Sequence, residues 1–191
     1  METFQQKKAL RRELREVAGM FSLEYVTDAS EAVCASILQS KFFLEAHVIF
    51  GYLAFQNEIN VDLVLEEAIR AGKIVAVPRI ISKTEMQAAR LDRLNDLPLD
   101  RYGIRTVPDP VLRIEPAKID LVLVPGAGFS LSGFRIGRGA GYYDRFLIQT
   151  RGYRMGITCD SLLREEIPVD KYDQRVDALV TETKFICCTG A

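Results

Sequence analysis

The stretch from Val124 to Leu147 reads VPGAGFSLSGFRIGRGAGYYDRFL and holds six of the chain's 13 glycines. Glycines at this density let backbone N–H groups approach an anion closely and admit positive φ. Arg135 and Arg138 stand among them, and a guanidinium suits phosphate or carboxylate oxygens because its donors form a planar fork. Asp144 follows in the first turn of an expected helix, where it would cap, pair with an arginine or hold a magnesium ion. The helix itself would add partial positive charge at its N-terminus. No GK[ST] follows the glycines, so this is not a P-loop. Gly137, Gly139 and Gly141 make GxGxG and not the dinucleotide fingerprint GxGxxG. A tight β–α connection would use glycine for its turns alone; the interleaved arginines favour an anion-binding loop.

Other groups with chemical capacity are few. Lys7, Arg11 and Arg15 recur at i, i+4 and i+8 on one face of a helix expected from Phe4 to about Met20. Leu10, Leu14 and Val17 mark its apolar face, and taken alone the basic face reads as solvated. Glu58 taken alone reads as an exposed loop carboxylate ahead of an Asn60 helix cap. His47 is the single histidine and precedes the apolar run Val48–Tyr52, so a structural role is expected and no two-histidine mechanism is open. Cys34, Cys159, Cys187 and Cys188 show no metal-finger spacing and read as inert thiols of a reducing compartment. Catalysis must therefore come from carboxylates, cations, backbone amides or a bound metal.

These residues need a scaffold, and the apolar periodicity supplies one. After the first helix, Ser30–Leu38 predicts a second. His47–Leu53 reads as a strand, Val61–Ala71 as a helix closed by Gly72, and Ile74–Ile80 as the next strand, a unit that implies parallel pairing. Met86–Leu91 is a further strand candidate, and the proline-rich stretch from Leu97 to Pro116 reads as a loop. Asp120–Val124 is a continuous apolar strand, Gly141–Gln149 a helix, and Arg154–Cys159 and Ala178–Thr181 complete the strand set. Helices between buried apolar strands imply a three-layer α/β/α domain with a mainly parallel sheet. Ligands of such sheets lie beyond the carboxyl ends of the strands, where the loop after Val124 falls.

At 191 residues one domain is expected. Twenty-five Lys and Arg against 26 Asp and Glu leave a formal charge of −1, which argues against a nucleic-acid coat. No apolar run approaches the ~20 residues of a membrane span. METFQQKKALRRELR lacks the apolar core of a secretory signal, so a cytoplasmic protein is expected.

The glycine-rich block resembles the PGxxFxxxGxRxGxGxGYYD signature of the 5-formyltetrahydrofolate cyclo-ligase family, also called 5,10-methenyltetrahydrofolate synthetase. Weaker agreement runs along the chain: KxxLR at Lys7–Arg11, NEI around Glu58, VPR at Val77–Arg79 and VDALVTE at Val176–Glu182. The resemblance implies a single domain over residues 1–191, Rossmann-like, of the architecture seen in sugar-phosphate isomerases and CoA transferases. It implies an ATP- and Mg2+-dependent ligase that closes a carbon–nitrogen bond, converting 5-formyltetrahydrofolate to 5,10-methenyltetrahydrofolate through a phosphorylated formyl group. It assigns ATP contacts to Lys7, Arg11 and Arg15 and to Arg135, Gly137, Arg138, Gly139, Ala140, Gly141, Tyr142 and Tyr143. Folate contacts fall on Leu53, Glu58, Arg138, Gly139, Gly141 and Tyr142, with Arg138 and Tyr142 nearest the chemistry. Magnesium falls to Asp144 and Asp177, with Asp173 as a competitor for the second place. The implied partners are small molecules, for a monomer without nucleic acid or membrane. Two rival classes stay open: a nucleotide- or folate-binding member without turnover, and a phosphate-binding isomerase or transferase of similar layers.

Overall fold

The computed structural model describes residues 2–100 and 103–188; residues 1, 101, 102 and 189–191 of the expected domain lie outside the described residues. Its first half comprises α1 (Glu2–Gly19), α2 (Leu23–Gln39), α3 (Lys41–Glu45), β1 (Val48–Phe50), α4 (Asp62–Arg70), β2 (Ile74–Ile80) and β3 (Met86–Arg90). Then follow β4 (Arg113–Ile114), β5 (Leu121–Pro125), β6 (Gly128–Ser130), β7 (Arg135–Ile136) and α5 (Tyr142–Leu147). β8 (Tyr153–Ile157), β9 (Leu163–Arg164), β10 (Ala178–Val180) and β11 (Phe185–Cys187) end the order.

Period-two alternation decides how these elements stack. Ile49, Leu121, Leu123, Met155, Ile157 and Val180 are buried on one face of the sheet, together with Leu14 of α1, Val33 and Ile37 of α2, and Val64 and Leu65 of α4. Phe50, Val122, Val124 and Leu179 are buried on the other, with Phe129, Phe146 and Leu147 from β6 and α5. A strand covered on both faces has no polar side, which is why β5 reads as the unbroken run LVLV. Eight strands pair in the order β11-β10-β8-β5-β1-β2-β3-β4. The five from β10 to β2 are parallel, and the strands added at each edge pair antiparallel to their neighbours. The expected β1–α4–β2 unit is present, with Ile49 opposite Val75. No helix of the described residues is long and apolar enough to cross a membrane.

Several local expectations need correction. The second helix starts seven residues earlier, at Leu23, because Ser22 caps it by accepting the Tyr25 N–H at 3.1 Å, a contact typically worth about 1 kcal/mol. Asn60 is not the cap of α4: Val61 occupies that place, and Asn60 Oδ1 accepts the Asp62 N–H one residue further out. The loop after Pro98 carries the short edge strand β4 and a bridge between Leu99 and Arg105. Most consequential is the segment after β5. It does not pass directly to the glycine loop; it first forms the hairpin β6–β7, which joins β9 in a second, three-stranded sheet. The Ala127 N–H donates to the Ile136 carbonyl at 2.7 Å and closes this detour, returning the chain to the carboxyl end of the large sheet.

Two aspartates finish the opposite, amino end. Asp120 Oδ2 accepts the N–H groups of His47 and Val48, each at 2.8 Å, and Asp177 Oδ2 accepts that of Arg154 at 2.8 Å. Both satisfy amides that the parallel ladder leaves open where strands begin.

Candidate functional site

At the carboxyl end of the sheet lies a cavity of about 1050 Å³. Its wall combines the glycine loop Gly137–Gly141, the cations Lys7, Arg11, Arg135 and Arg138, and an apolar side made by Leu53, Pro78, Ile80 and Met86. A second cavity of about 700 Å³ adjoins it, lined by Arg11, Leu14, Arg15, Ile157 and Thr158 among others. Arg11, Tyr52, Phe55, Glu58, Pro125, Gly126, Gly137 and Arg138 belong to both walls and so form the partition.

Helix α1 crosses the mouth of the sheet with Leu14 pressed against Gly128, so close that a Cβ there would lie 2.8 Å from Leu14 Cδ1. That packing turns the basic face inward. Lys7 reaches only the larger cavity, Arg11 stands at the partition, and Arg15 reaches only the smaller cavity, where it stays exposed. The solvated-face reading of this stripe therefore holds for Arg15 and fails for Lys7, which is 6% exposed. Arg11 Nε donates to the Gly137 carbonyl at 2.8 Å, tying the helix to the loop. Lys7 Nζ donates to Asp170 Oδ2 at 2.7 Å and also to Asp173 Oδ2. Burial alone would lower the Lys7 pKa, but these two carboxylates outweigh it and hold the ammonium above its ordinary value.

The glycine loop owes its shape to backbone freedom at two positions. Gly139 has φ +104° and Gly141 has φ +66°, conformations that L side chains rarely adopt. At Gly141 a Cβ would also lie 2.8 Å from Arg145 Nη1. Arg145 braces the loop from outside, donating to the carbonyls of Ala140 at 2.6 Å and Thr84 at 2.7 Å. The following helix α5 has only six residues, shorter than the expected Gly141–Gln149, and no side chain caps it. Positive charge at this loop is therefore supplied by side chains more than by a helix end.

Arg135 is buried and its Nη2 pairs with Asp144 Oδ1 at 2.7 Å, while its Nε has no partner among the described residues. The guanidinium carbon lies 5.4 Å from the Tyr143 ring centroid, within cation–π range. The Tyr143 hydroxyl oxygen is buried without a partner among the described residues, and burial, followed by the charge of Glu58, pushes its pKa well above the ordinary range. Tyr142 OH donates to the Ser82 carbonyl at 3.0 Å. Arg138 Nη2 pairs with Glu58 Oε1 at 2.7 Å, and Leu53 is buried in the apolar wall.

The structure thus gathers Lys7, Arg11, Leu53, Glu58, Arg135, Gly137, Arg138, Gly139, Ala140, Gly141, Tyr142, Tyr143 and Asp144 around one cavity. It does not bring Asp177 there. Asp177 lines neither cavity, and its carboxylate is engaged at the amino end of β8. Asp173, three residues after Asp170, takes the neighbouring place beside Lys7. Sequence reasoning had no local signal for Asp170, whose partner lies 163 positions away, nor for the Phe55 carbonyl and ring that receive Arg138. His47 is exposed and lines neither cavity, and the four cysteines are free.

Comparison with known proteins gives these features a family. The profile of the 5-formyltetrahydrofolate cyclo-ligase family matches residues 3–182. A probable 5-formyltetrahydrofolate cyclo-ligase of Caenorhabditis elegans is 30% identical over 195 residues, spanning 94% of each chain. The mouse 5-formyltetrahydrofolate cyclo-ligase is 27% identical over 189 residues, or 92% of this chain and 93% of that one. Among solved structures, the 5,10-methenyltetrahydrofolate synthetase of Aquifex aeolicus superposes with a TM-score of 0.86 at 27% identity, covering 97% of this chain and 94% of that one.

Proposed function

The chain belongs to the 5-formyltetrahydrofolate cyclo-ligase family, and from that premise we propose that it cyclises 5-formyltetrahydrofolate to 5,10-methenyltetrahydrofolate with ATP as phosphoryl donor and Mg2+ as cofactor. One observation carries this reading: a loop of glycine amides, joined by Lys7, Arg11, Arg135 and Arg138, meets an apolar wall and Glu58 inside a single cavity. The cationic side suits a triphosphate. The apolar side and Glu58 suit a pterin, whose donor-rich edge a carboxylate can accept through two bonds.

The chemistry follows from what these residues lack. An amide-like formyl oxygen is a poor leaving group, and among the described residues no serine, cysteine or histidine lines the larger cavity. Transfer of the γ-phosphoryl group to that oxygen makes an imidate phosphate and leaves ADP. Attack by nitrogen 10 then closes the ring, and expulsion of phosphate with loss of the nitrogen proton gives the methenyl product. Such a path asks the protein for positioning and charge neutralisation. Lys7, Arg11, Arg135 and Arg138 surround the phosphate side, and removing one preorganised donor of this kind typically costs about 10²–10³ in rate. Leu53 and the residues beside it exclude water from the folate side.

Asp144 and Asp173 line the cavity beside these cations. Magnesium commonly takes one or two carboxylates and completes its shell with phosphate oxygens and water. The donor set fits, and the ion would neutralise charge on the phosphates. The same reading takes the chain as a three-layer, Rossmann-like single domain that acts on small molecules in the cytoplasm as a monomer without nucleic acid.

The test is to mix the protein with 5-formyltetrahydrofolate, ATP and magnesium and to record the conjugated methenyl chromophore and released phosphate together. Equal production of both is expected. Binding of both ligands with neither product would identify a member without turnover.

A further inference from the structure

We propose that Glu58 is a positioning residue for Arg138: in the free enzyme it holds the guanidinium away from the nucleotide, and folate releases it by occupying Glu58. The inference rests on the reading above, since it needs both substrates in this cavity.

Arg138 is docked by three contacts to one short turn. Its Nη2 donates to Glu58 Oε1 at 2.7 Å and more weakly to the Phe55 carbonyl at 3.4 Å, and its guanidinium carbon lies 5.0 Å from the Phe55 ring centroid. Glu58 Oε2 meanwhile accepts the Phe55 N–H at 3.1 Å, so both carboxylate oxygens are engaged within the turn. The turn passes through Gln56 at φ +57°, a left-handed conformation that a non-glycine residue holds only when its surroundings fix it. On the other side Arg138 is flanked by Gly137 and Gly139, which lets the backbone carrying the guanidinium be redirected.

Position makes this latch consequential. Glu58 and Arg138 both line both cavities, so their ion pair stands in the partition where the two reactants must meet. Arg138 cannot pair with Glu58 and fully engage a phosphate, and Glu58 cannot give both oxygens to a pterin while it closes the turn and carries Arg138. Each ligand therefore frees the residue the other needs, and linkage makes the effect reciprocal. The arginine side chain is 51% exposed, so opening the pair costs little, and the coupling expected is about fivefold, the low end of allosteric effects. ATP bound without folate would lack Arg138 at its transferring group, which limits idle hydrolysis.

The experiment is calorimetric titration of the full chain with a non-hydrolysable ATP analogue and magnesium, with and without 5-formyltetrahydrofolate. The wild type is expected to bind the analogue about fivefold more tightly with folate present. Glu58→Gln should bind it about fivefold more tightly than wild type with folate absent, a gain that a folate contact alone would not produce. Phosphate release from ATP alone should rise in the same variant. Combining Glu58→Gln with Arg138→Ala separates a latch from simple removal of a negative charge: the latch predicts that the gain vanishes. Glu58→Asp, which keeps the charge on a shorter arm, should shift affinity in the same direction and serves if the glutamine variant melts early. Equal affinity with and without folate, or a gain that survives in the Arg138→Ala background, overturns the latch. A wild-type chain that binds no nucleotide overturns the ATP reading itself.

Discussion

Lys7 in the first helix and Asp170, 163 positions later, meet with ammonium and carboxylate 2.7 Å apart inside the cavity, and Asp173 binds the same ammonium. The contact fastens α1 to the segment that carries Asp170 and Asp173 and holds the ammonium at the cavity wall. Neutralising it in the Lys7→Met variant should lower kcat/KM for ATP by roughly 10²-fold, as loss of a preorganised donor does. KM for folate should change far less. Steady-state kinetics with each substrate varied in turn check the split.

The same contact fixes a pH signature. Asp170 is held below its ordinary 3.8, first by its bond from Lys7, so the stability it contributes is present above that value and lost as pH falls through the lowered folded pKa. Lys7 is held above its ordinary 10.5, so its contribution is present below that value and lost as pH rises through the raised one. Thermal melts of wild type against Lys7→Met should therefore differ by a constant amount between about pH 4 and pH 10 and converge beyond both ends. Asp170 is 44% exposed at its side chain, so solvent keeps the plateau small.

Asp144 and Asp177 should behave differently when each is changed to asparagine. Asp144→Asn leaves the Arg135 guanidinium, whose side chain is 4% exposed, without its counter-charge, a loss that costs about 3 kcal/mol when a buried pair is broken. It should also raise the magnesium concentration needed for half-maximal activity. Asp177→Asn weakens one bond at the amino end of β8, worth about 1 kcal/mol, and should leave the magnesium titration where it was. Denaturant unfolding and metal titrations of the two variants give the comparison directly.

The sequence was most readable where a short-range pattern carries the physics. LVLV announces a strand buried on both faces, and the glycines with Arg135 and Arg138 announce a tight loop that carries guanidinium groups, because both signals are contained in adjacent residues. Three features escaped it. The hairpin β6–β7 is held mainly by bonds between Gly128–Phe129 and Arg135–Ile136 and by pairing with β9, some 34 residues further on. The Lys7 clamp joins opposite ends of the chain, and no periodicity spans that distance. Asp177 looks like a ligand in the linear motif VDALVTE, yet the parallel ladder of β8 and β10 sets it at the strands' amino ends, remote from where such sheets bind.

Gly141→Ala tests whether the loop's backbone matters apart from its side chains. The native φ of +66° costs an L residue about 1–2 kcal/mol, and the added Cβ would press on the Arg145 guanidinium, which is flexible enough to yield. The fold should therefore survive with a modestly lowered melting temperature. Catalysis should suffer more, by one to two orders of magnitude, since a displacement of about 1 Å at an anion cradle costs roughly 10²-fold. Melting curves and turnover of the one variant decide it. A fall in stability with turnover intact would mean that the loop's amides do not hold the reacting phosphate.

Tyr143→Phe removes a hydroxyl whose oxygen is buried beside the cavity with no partner among the described residues. A polar atom left in that condition is a net cost to the free fold, so its deletion should leave stability unchanged or raise it by up to about 1 kcal/mol. The ring stays, keeping its edge contact with Phe50 at 6.3 Å between centroids and its place near Arg135. If the hydroxyl finds its partner only on a substrate, the variant should show a smaller ligand-induced rise in melting temperature, because stabilisation by a ligand follows its affinity. Melts of both proteins with 5-formyltetrahydrofolate alone and with an ATP analogue and magnesium alone would show which substrate the phenol meets. A variant as stable as wild type whose melting temperature rises equally with both ligands would mean that the hydroxyl serves neither.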